Sequence, residues 1–269
     1  MVIFYIQILK SMLLFTRIII FFFFNNINNN IHFRGGDEMR NIGIIGGMGP
    51  MASVDLFAKI TALTMASSDQ EHIHVFVDSN PEIPDRTKAI LEGGTNPVPA
   101  LVRSAHNLES LDADIIIMAC NTAHYFFDEI KQAVQADMIN MIEETALEAK
   151  RRKLSKVGLL ATSGTYRTGL YEKFFYQYDI EIVNAPTDME KNIMDLIYHG
   201  VKAGRKDYPL DGIQAVLSAM RMQGVDTFIL GCTELPVAFQ MYQIKANVID
   251  PTEVLARSAI RAAGKMIVS

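Results

Sequence analysis

Cysteine is nearly missing from this chain of 269 residues: there are two, Cys120 and Cys232, 112 positions apart. So small a set cannot build the disulfide framework of a secreted domain, and the spacing is unlike that of a zinc site. A reducing, cytoplasmic setting is expected. An excess of positive charge is lacking too. With 25 Lys and Arg against 30 Asp and Glu, the formal charge is −5 and the pI about 5.7, so no overall field draws in nucleic acid. The one basic cluster, Lys150–Lys153 with Lys156, falls where a helix should end and cations complement its dipole. Cofactor signatures are also missing. No glycine-rich phosphate cradle or Schiff-base lysine motif suggests pyridoxal phosphate. His72 and His74 share a face of a predicted strand, but no nearby carboxylate or cysteine completes a metal set, so no metal is expected.

No apolar run is long enough to cross a bilayer. The longest, Met12–Phe24, is broken by Arg17 and leads into the low-complexity stretch Asn25–Asn30; thirteen residues fall short of the roughly 20 a spanning helix needs. Residues 1–38 differ in composition from the rest and show no helical or strand period. They read as a non-native or disordered extension ahead of a functional start at Met39, and no stable membrane association is expected.

From Met39 onward, short apolar runs alternate with longer amphipathic ones. Strands are predicted at Asn41–Gly46, His72–Asp78, Asp114–Ala119, Lys156–Ala161, Ile180–Asn184, Asp226–Gly231 and Asn247–Asp250. Helical spacing fills the gaps. Val54, Phe57, Ala58, Ile60 and Thr61 fall on one face, as do Ile193, Leu196, Ile197 and Val201, and both faces are expected to be buried. Nearly continuous apolar strands alternating with helices imply an α/β protein with parallel sheets covered on both sides.

The chain also repeats itself. Arg40–Gly46 (RNIGIIG) is echoed by Ser155–Ala161 (SKVGLLA), and Gly43 precedes Cys120 by 77 positions as Gly158 precedes Cys232 by 74. Each half thus carries a first strand with a polar loop and a later strand ending in a cysteine. Two similar α/β domains are expected, 39–150 with 250–269 and 151–249, with a site in the cleft between them.

Cys120 follows Ile115–Ala119 and Cys232 follows Phe228–Gly231, so each stands just past the carboxyl end of a predicted strand, the edge where open α/β sheets bind ligands. Each precedes a predicted helix. A thiol at a helix amino end has its thiolate stabilised by the dipole and free N–H groups, which lowers its pKa below about 8.5. One cysteine after an apolar strand is ordinarily core packing; two in matching halves, trailed by Asn-Thr and Thr-Glu, fit that explanation poorly. Two thiols facing each other across a cleft suit a reaction in which one base removes a proton and an acid returns one from the opposite face. The carbanion-like transition state would need fixed donors, such as loop N–H groups, Asn121, Thr122 and Thr233, each contributing about 3 kcal/mol.

At GIIGGMGP (Gly43–Pro50), NPEIPDRT (Asn80–Thr87), MACNTAH (Met118–His124), LLATSGT (Leu159–Thr165), YEKF (Tyr171–Phe174) and LGCTELP (Leu230–Pro236) the chain resembles the aspartate/glutamate racemase family, in its aspartate racemase branch. The resemblance implies two α/β domains with the site between them, a homodimer, an amino dicarboxylic acid substrate, and neither cofactor nor metal. By position it makes Cys120 and Cys232 the acid/base pair. Asn121, Thr122 and Thr233 would hold the α-carboxylate and ammonium, Arg86 and Lys173 the side-chain carboxylate, and Met48 would line the first loop. His124 and Glu234 would tune the thiols or cap the following helices. Many glutamate racemases carry an aspartate in the first loop and a histidine after the second Cys-Thr. This chain has no acid from Gly46 to Pro50 and has Glu234 after Thr233, which favours aspartate.

Two rival readings belong to other classes. Gly47–Ala52 fits G-x-G-x-x-A after a strand, the dinucleotide fingerprint, but Asp78 follows Gly49 by 29 residues rather than about 20. A non-catalytic amino-acid-binding protein on the same scaffold is the other.

Overall fold

The computed structural model describes residues 39–268, so the expectation for residues 1–38 lies outside the described residues. In chain order the first half contains β1 (Ile42–Gly46), α1 (Pro50–Leu63), β2 (Val75–Ser79), α2 (Arg86–Leu91), α3 (Val98–Glu109), β3 (Ile115–Met118), α4 (Phe127–Gln132), β4 (Asp137–Met138) and α5 (Met141–Arg151). The second half contains β5 (Lys156–Ala161), α6 (Ser163–Thr168), α7 (Leu170–Tyr176), β6 (Glu181–Asn184) and α8 (Glu190–Asp195), which runs on as a π-helical segment, Leu196–Val201. Then come α9 (Asp211–Met222), β7 (Thr227–Gly231), α10 (Glu234–Met241), β8 (Asn247–Ile249) and α11 (Pro251–Ala262).

The strands form two four-stranded sheets, β2-β1-β3-β4 and β6-β5-β7-β8, with every pairing parallel. The two orders are the same, so the faint repeat in sequence is a repeat in topology. In each sheet the chain steps outward from the first strand to one side, then returns to add a strand on the other. The crevice between those two central strands is the topological switch point, where this architecture opens a ligand site. β3 and β7, the strands that lead to the cysteines, are the ones at that point.

Both faces of the first sheet are covered. Ile42, Ile44, Ile115 and Ile117 pack beneath α1 and α11 with Leu56, Ile60, Leu255, Ala259 and Ile260, while Ile45, Ile116 and Met118 pack on the other face with Leu101, Ala105 and Leu108. Alternate strand residues thus serve opposite cores, which is why the strands read as unbroken apolar runs. The glycines of the repeat have matching duties. A Cβ on Gly43 would stand 3.0 Å from the Ala113 and Leu108 Cβ atoms, and one on Gly158 would stand 2.7 Å from Val225 and 2.8 Å from Met220. Only glycine lets the covering helix lie this close to the strand.

Two expectations need correction. On α1 the buried stripe is Ala52, Ser53, Leu56 and Ile60; of the face predicted from sequence only Ile60 is buried, and Val54 and Phe57 are exposed. Apolar residues lie on both sides of this helix. Its rotation follows Ser53, whose Oγ accepts the Gly47 N–H at 2.9 Å and so must face inward. The sequence pattern also missed β4, whose two residues are too few to show a period. The second predicted face is buried as expected, with Ile193, Leu196, Ile197 and Val201 all in the core. Among the described residues no helix is long and apolar enough to cross a membrane.

Candidate active site

Cys120 and Cys232 are free thiols, 6% and 7% exposed. Both line one small cavity, together with Met48, Asp85, Arg86, Thr87, Asn121, Thr122, Thr162, Tyr198, Lys202, Thr233 and Glu234. The first half supplies Met48 to Thr122 and the second half the remainder, so the cavity lies between the two sheets' carboxyl edges.

The halves are stitched together around it by polar contacts. Thr122 Oγ1 lies 3.0 Å from the hydroxyls of Thr162 and Thr165, which are 3.1 Å from each other. The Thr233 hydroxyl reaches the Ala119 carbonyl at 3.4 Å and Glu234 Oε2 at 3.3 Å. The Gly49 N–H donates to Glu234 Oε1 at 3.0 Å. Thr162 stands where the repeat places Gly47 in the first half, and its side chain caps α6 by accepting from the Thr165 N–H.

Two cavity-lining donors are buried with no hydrogen-bond partner: Arg86 Nε and Asn121 Nδ2. An unpaired buried donor costs about 1–3 kcal/mol, so each leaves hydrogen-bonding capacity open at a residue that lines the cavity. The rest of the Arg86 guanidinium is fastened. Nη1 donates to the Ile83 and Pro84 carbonyls at 3.1 and 3.0 Å, and Nη2 to the Met48 carbonyl at 2.9 Å. Burial opposes the Arg86 charge, but Cys120 beside it, then Asp85 and Tyr198, outweigh burial and push its pKa up. Met48, 3% exposed, thus lines the cavity and anchors the arginine through its backbone.

The surroundings of Cys232 differ in sign. Its Sγ donates to Glu234 Oε2 at 3.0 Å, and burial first, then the Glu234 carboxylate, drive the thiol pKa well above the ordinary value. The backbone N–H of Glu234 and the charge of Lys202 act the other way but are outweighed. This corrects the expectation of a lowered pKa for Cys232. The helix amino end is present, but burial of the sulfur, and then the carboxylate of Glu234 at the first position of α10, override the partial charge. Lys202 has its Nζ 4.0 Å from Glu234 Oε1 and 4.5 Å from the Tyr198 ring centre. Burial disfavours its charge, while Glu234, Cys232, Tyr198 and Cys120 together more than restore it and raise the pKa.

His124 does not line the cavity. Its Nδ1 is 2.8 Å from the Cys120 carbonyl and its Nε2 accepts the Met141 N–H at 3.1 Å, so Nδ1 carries the hydrogen and the ring is neutral. Complete burial lowers its pKa to about 4, against hydrogen bonds to the Cys120 and Asn121 backbone that favour the charge. The ring bolts the Cys120 turn to the start of α5. Lys173 is not brought to the cavity either. It is exposed on α7 with its Nζ 5.7 Å from the Phe174 ring centre, because the buried side of that helix is taken by Tyr171 and Phe175.

The residues that sequence reasoning left without a role are Asp85, Thr87, Thr162, Tyr198 and Lys202. The first three lie in the quoted motifs, and Thr162 was also reachable through the repeat. Tyr198 and Lys202 come from the π-helical segment and its end, where no motif or spacing singled them out.

Residues 45–259 match the family described as Asp/Glu/Hydantoin racemase. Among solved structures, the aspartate racemase of Picrophilus torridus is similar, with 37% identity and a TM-score of 0.76, covering 85% of this chain and 96% of that one. A broad specificity amino-acid racemase of Bacillus subtilis is 26% identical over 232 residues, 81% of this chain and 96% of that protein. A glutamate racemase of Desulforudis audaxviator is 31% identical over 161 residues, 57% of this chain and 56% of that one.

Proposed function

Given that the chain belongs to the Asp/Glu/hydantoin racemase family, we propose that it is a cofactor-independent amino-acid racemase acting on aspartate, with Cys120 and Cys232 as its acid/base pair. The observation that carries this reading is the convergence on one small cavity of a thiol from each half and two buried donors without partners. A thiolate takes the α-proton as the C–H bond breaks. The thiol opposite gives its proton to the other face of the carbanion, and each sulfur ends in the protonation state the other began with. In this reading Asn121 Nδ2, with the Thr122 hydroxyl beside it, holds the α-carboxylate, while the Thr233 hydroxyl is engaged by the Ala119 carbonyl and Glu234; fixed donors of this kind supply transition-state stabilisation without reorganisation. Arg86 Nε supplies a charged donor for a second carboxylate, Lys202 adds a cation in place of the expected Lys173, and Asp85 can face the ammonium.

The P. torridus neighbour is an aspartate racemase, and the absence of an acid between Gly46 and Pro50 supports the same substrate. Glutamate or broad dicarboxylate specificity is the second reading, favoured by the Desulforudis and Bacillus relatives. The dinucleotide reading has less support. The Gly47 and Gly49 N–H groups that would cradle a pyrophosphate already donate to Ser53 and Glu234. A homodimer in the cytoplasm belongs to the proposed reading through the family resemblance.

The test is chiral chromatography after separate incubation with D- and L-aspartate and D- and L-glutamate. Interconversion of both aspartate enantiomers, at least about tenfold faster than glutamate as about 1.4 kcal/mol of discrimination implies, is expected. Equal rates would establish the broad reading, and no conversion of any of the four would defeat the proposal.

A further inference from the structure

The two cysteines sit in surroundings of opposite charge. Cys120 has the Arg86 guanidinium beside it, while Cys232 donates to the Glu234 carboxylate at 3.0 Å. Glu234 is held in place from the other half of the molecule. Its Oε1 accepts the Gly49 N–H at 3.0 Å and lies 4.0 Å from Lys202 Nζ, while Oε2 takes both the Cys232 thiol and the Thr233 hydroxyl. At 3% exposure the carboxylate cannot turn to solvent. A hydrogen bond from a thiol to a fixed carboxylate exists only while the sulfur keeps its proton; a thiolate there would face the carboxylate charge across the same short distance.

We infer that the two sulfurs are not interchangeable: Glu234, fastened by the Gly49 N–H and Lys202, is a positioning residue that keeps Cys232 as a thiol at rest, so that Cys232 enters the reaction as the acid and Cys120 as the base. The inference rests on the racemase reading for its catalytic meaning. The other groups facing Cys232 do not reverse it. Lys202 on the π-helical side is a cation facing it and is itself paired with Glu234, and the Arg86 guanidinium lines the same cavity but stands beside Cys120. Tyr198 from the same segment and Tyr171 from α7 have pKa values pushed up, chiefly by burial, and are neutral.

One enantiomer is then deprotonated by the form in which Cys232 keeps its proton and Cys120 is the thiolate. That turnover leaves Cys120 as thiol and Cys232 as thiolate against Glu234, and resetting moves one proton from Cys120 to solvent and one from solvent to Cys232. The opposite enantiomer must wait for the unfavourable form. The two directions are therefore expected to differ in which step limits them.

The sulfur states can be read without any catalysis. In a Cys120→Ala background Cys232 is the one remaining thiol, and its ionisation is followed by ultraviolet thiolate absorbance and by the pH dependence of iodoacetamide alkylation. Adding Glu234→Gln, which keeps the volume and a hydrogen-bonding group but removes the charge, is expected to move the titration down by at least about one pH unit and to speed alkylation at neutral pH about tenfold. Adding Lys202→Met instead is expected to move it up. Loosening of the fold would expose the sulfur and push both variants down, so the opposed signs separate an electrostatic role from a structural one. The assignment is overturned if Glu234→Gln leaves the titration in place or raises it, or if Lys202→Met fails to raise it. Either result leaves the racemase reading to its own assay, because alkylation does not require turnover.

Discussion

The Tyr171 hydroxyl donates to Asn121 Oδ1 at 2.5 Å, and this single bond decides which end of the Asn121 amide faces the cavity. Tyr171 is wholly buried and its pKa is driven well above the ordinary value by burial first, then by Cys232 and Asp250, so it is a donor at any working pH. With Oδ1 occupied, Nδ2 is the group left without a partner. Under the proposed function, Asn121 then offers a substrate carboxylate a donor rather than a second acceptor.

Replacing Tyr171 by Phe frees the amide to turn and removes one neutral hydrogen bond. About 1–1.5 kcal/mol of transition-state binding is at stake, so kcat/KM for aspartate is expected to fall about tenfold, with a loss of stability no larger than the cost of one unsatisfied buried group, about 1–3 kcal/mol. Unchanged kinetics in this variant would show that the amide orientation is set elsewhere.

Arg86 holds three carbonyls, from Met48, Ile83 and Pro84, and in the proposed scheme its charge also reads a second carboxylate. Lysine keeps the charge but lacks the planar fork. Arg86→Lys is expected to lower kcat/KM about a hundredfold for a dicarboxylic amino acid and by much less for alanine, the difference being a lost charge-assisted bond of about 1.5–3 kcal/mol. Equal losses on both substrates would remove its role in reading the second carboxylate.

Cys120→Ala and Cys232→Ala should each stop racemisation while circular dichroism and thermal melting stay close to those of the parent. Each removes a single sulfur from a cavity wall, which costs at most about 1–2 kcal/mol of stability. Full turnover in either variant, followed on chiral chromatography, would contradict the two-thiol scheme.

His124 links the site to stability through pH. Its pKa is lowered from 6.5 to about 4 by burial, so the unfolded chain takes up a proton at a pH where the native protein does not. The stability this contributes is complete above the unfolded value and is lost as pH falls from 6.5 toward 4, by up to about 3 kcal/mol. Urea midpoints measured across that window should fall for the parent and decline less for His124→Gln. Parallel slopes would place the loss at other groups.

The parts of this molecule visible in its sequence are those written in strand and loop chemistry. Parallel strands buried on both faces leave continuous apolar runs, so seven of the strands and the β1/β5 echo could be read directly, and each cysteine's place followed from the strand before it. What could not be read depends on packing. The exposed side of α1 carries Val54 and Phe57, as apolar as the buried side, and its rotation goes with the packing of Leu56 and Ile60 and the Ser53 contact with the Gly47 N–H, none of which has a sequence signal. Lys173 and Lys202 are alike in sequence. The burial of Tyr171 and Phe175 turns the first outward, and the π-helical turn after α8 carries the second toward Glu234. The position of Cys232 at a helix start was legible, but the sign of the effect on its pKa was not, because it depends on where the Glu234 carboxylate points.

Running the reaction in deuterium oxide tests most directly whether two sulfurs serve one carbon from opposite sides. Starting from either enantiomer of aspartate and stopping at low conversion, the product should carry one deuterium at the α-carbon while the recovered substrate carries almost none, since the sulfur that removes the proton is not the one that delivers its replacement. Label appearing equally in substrate and product, or in neither, would contradict the assignment of Cys120 and Cys232.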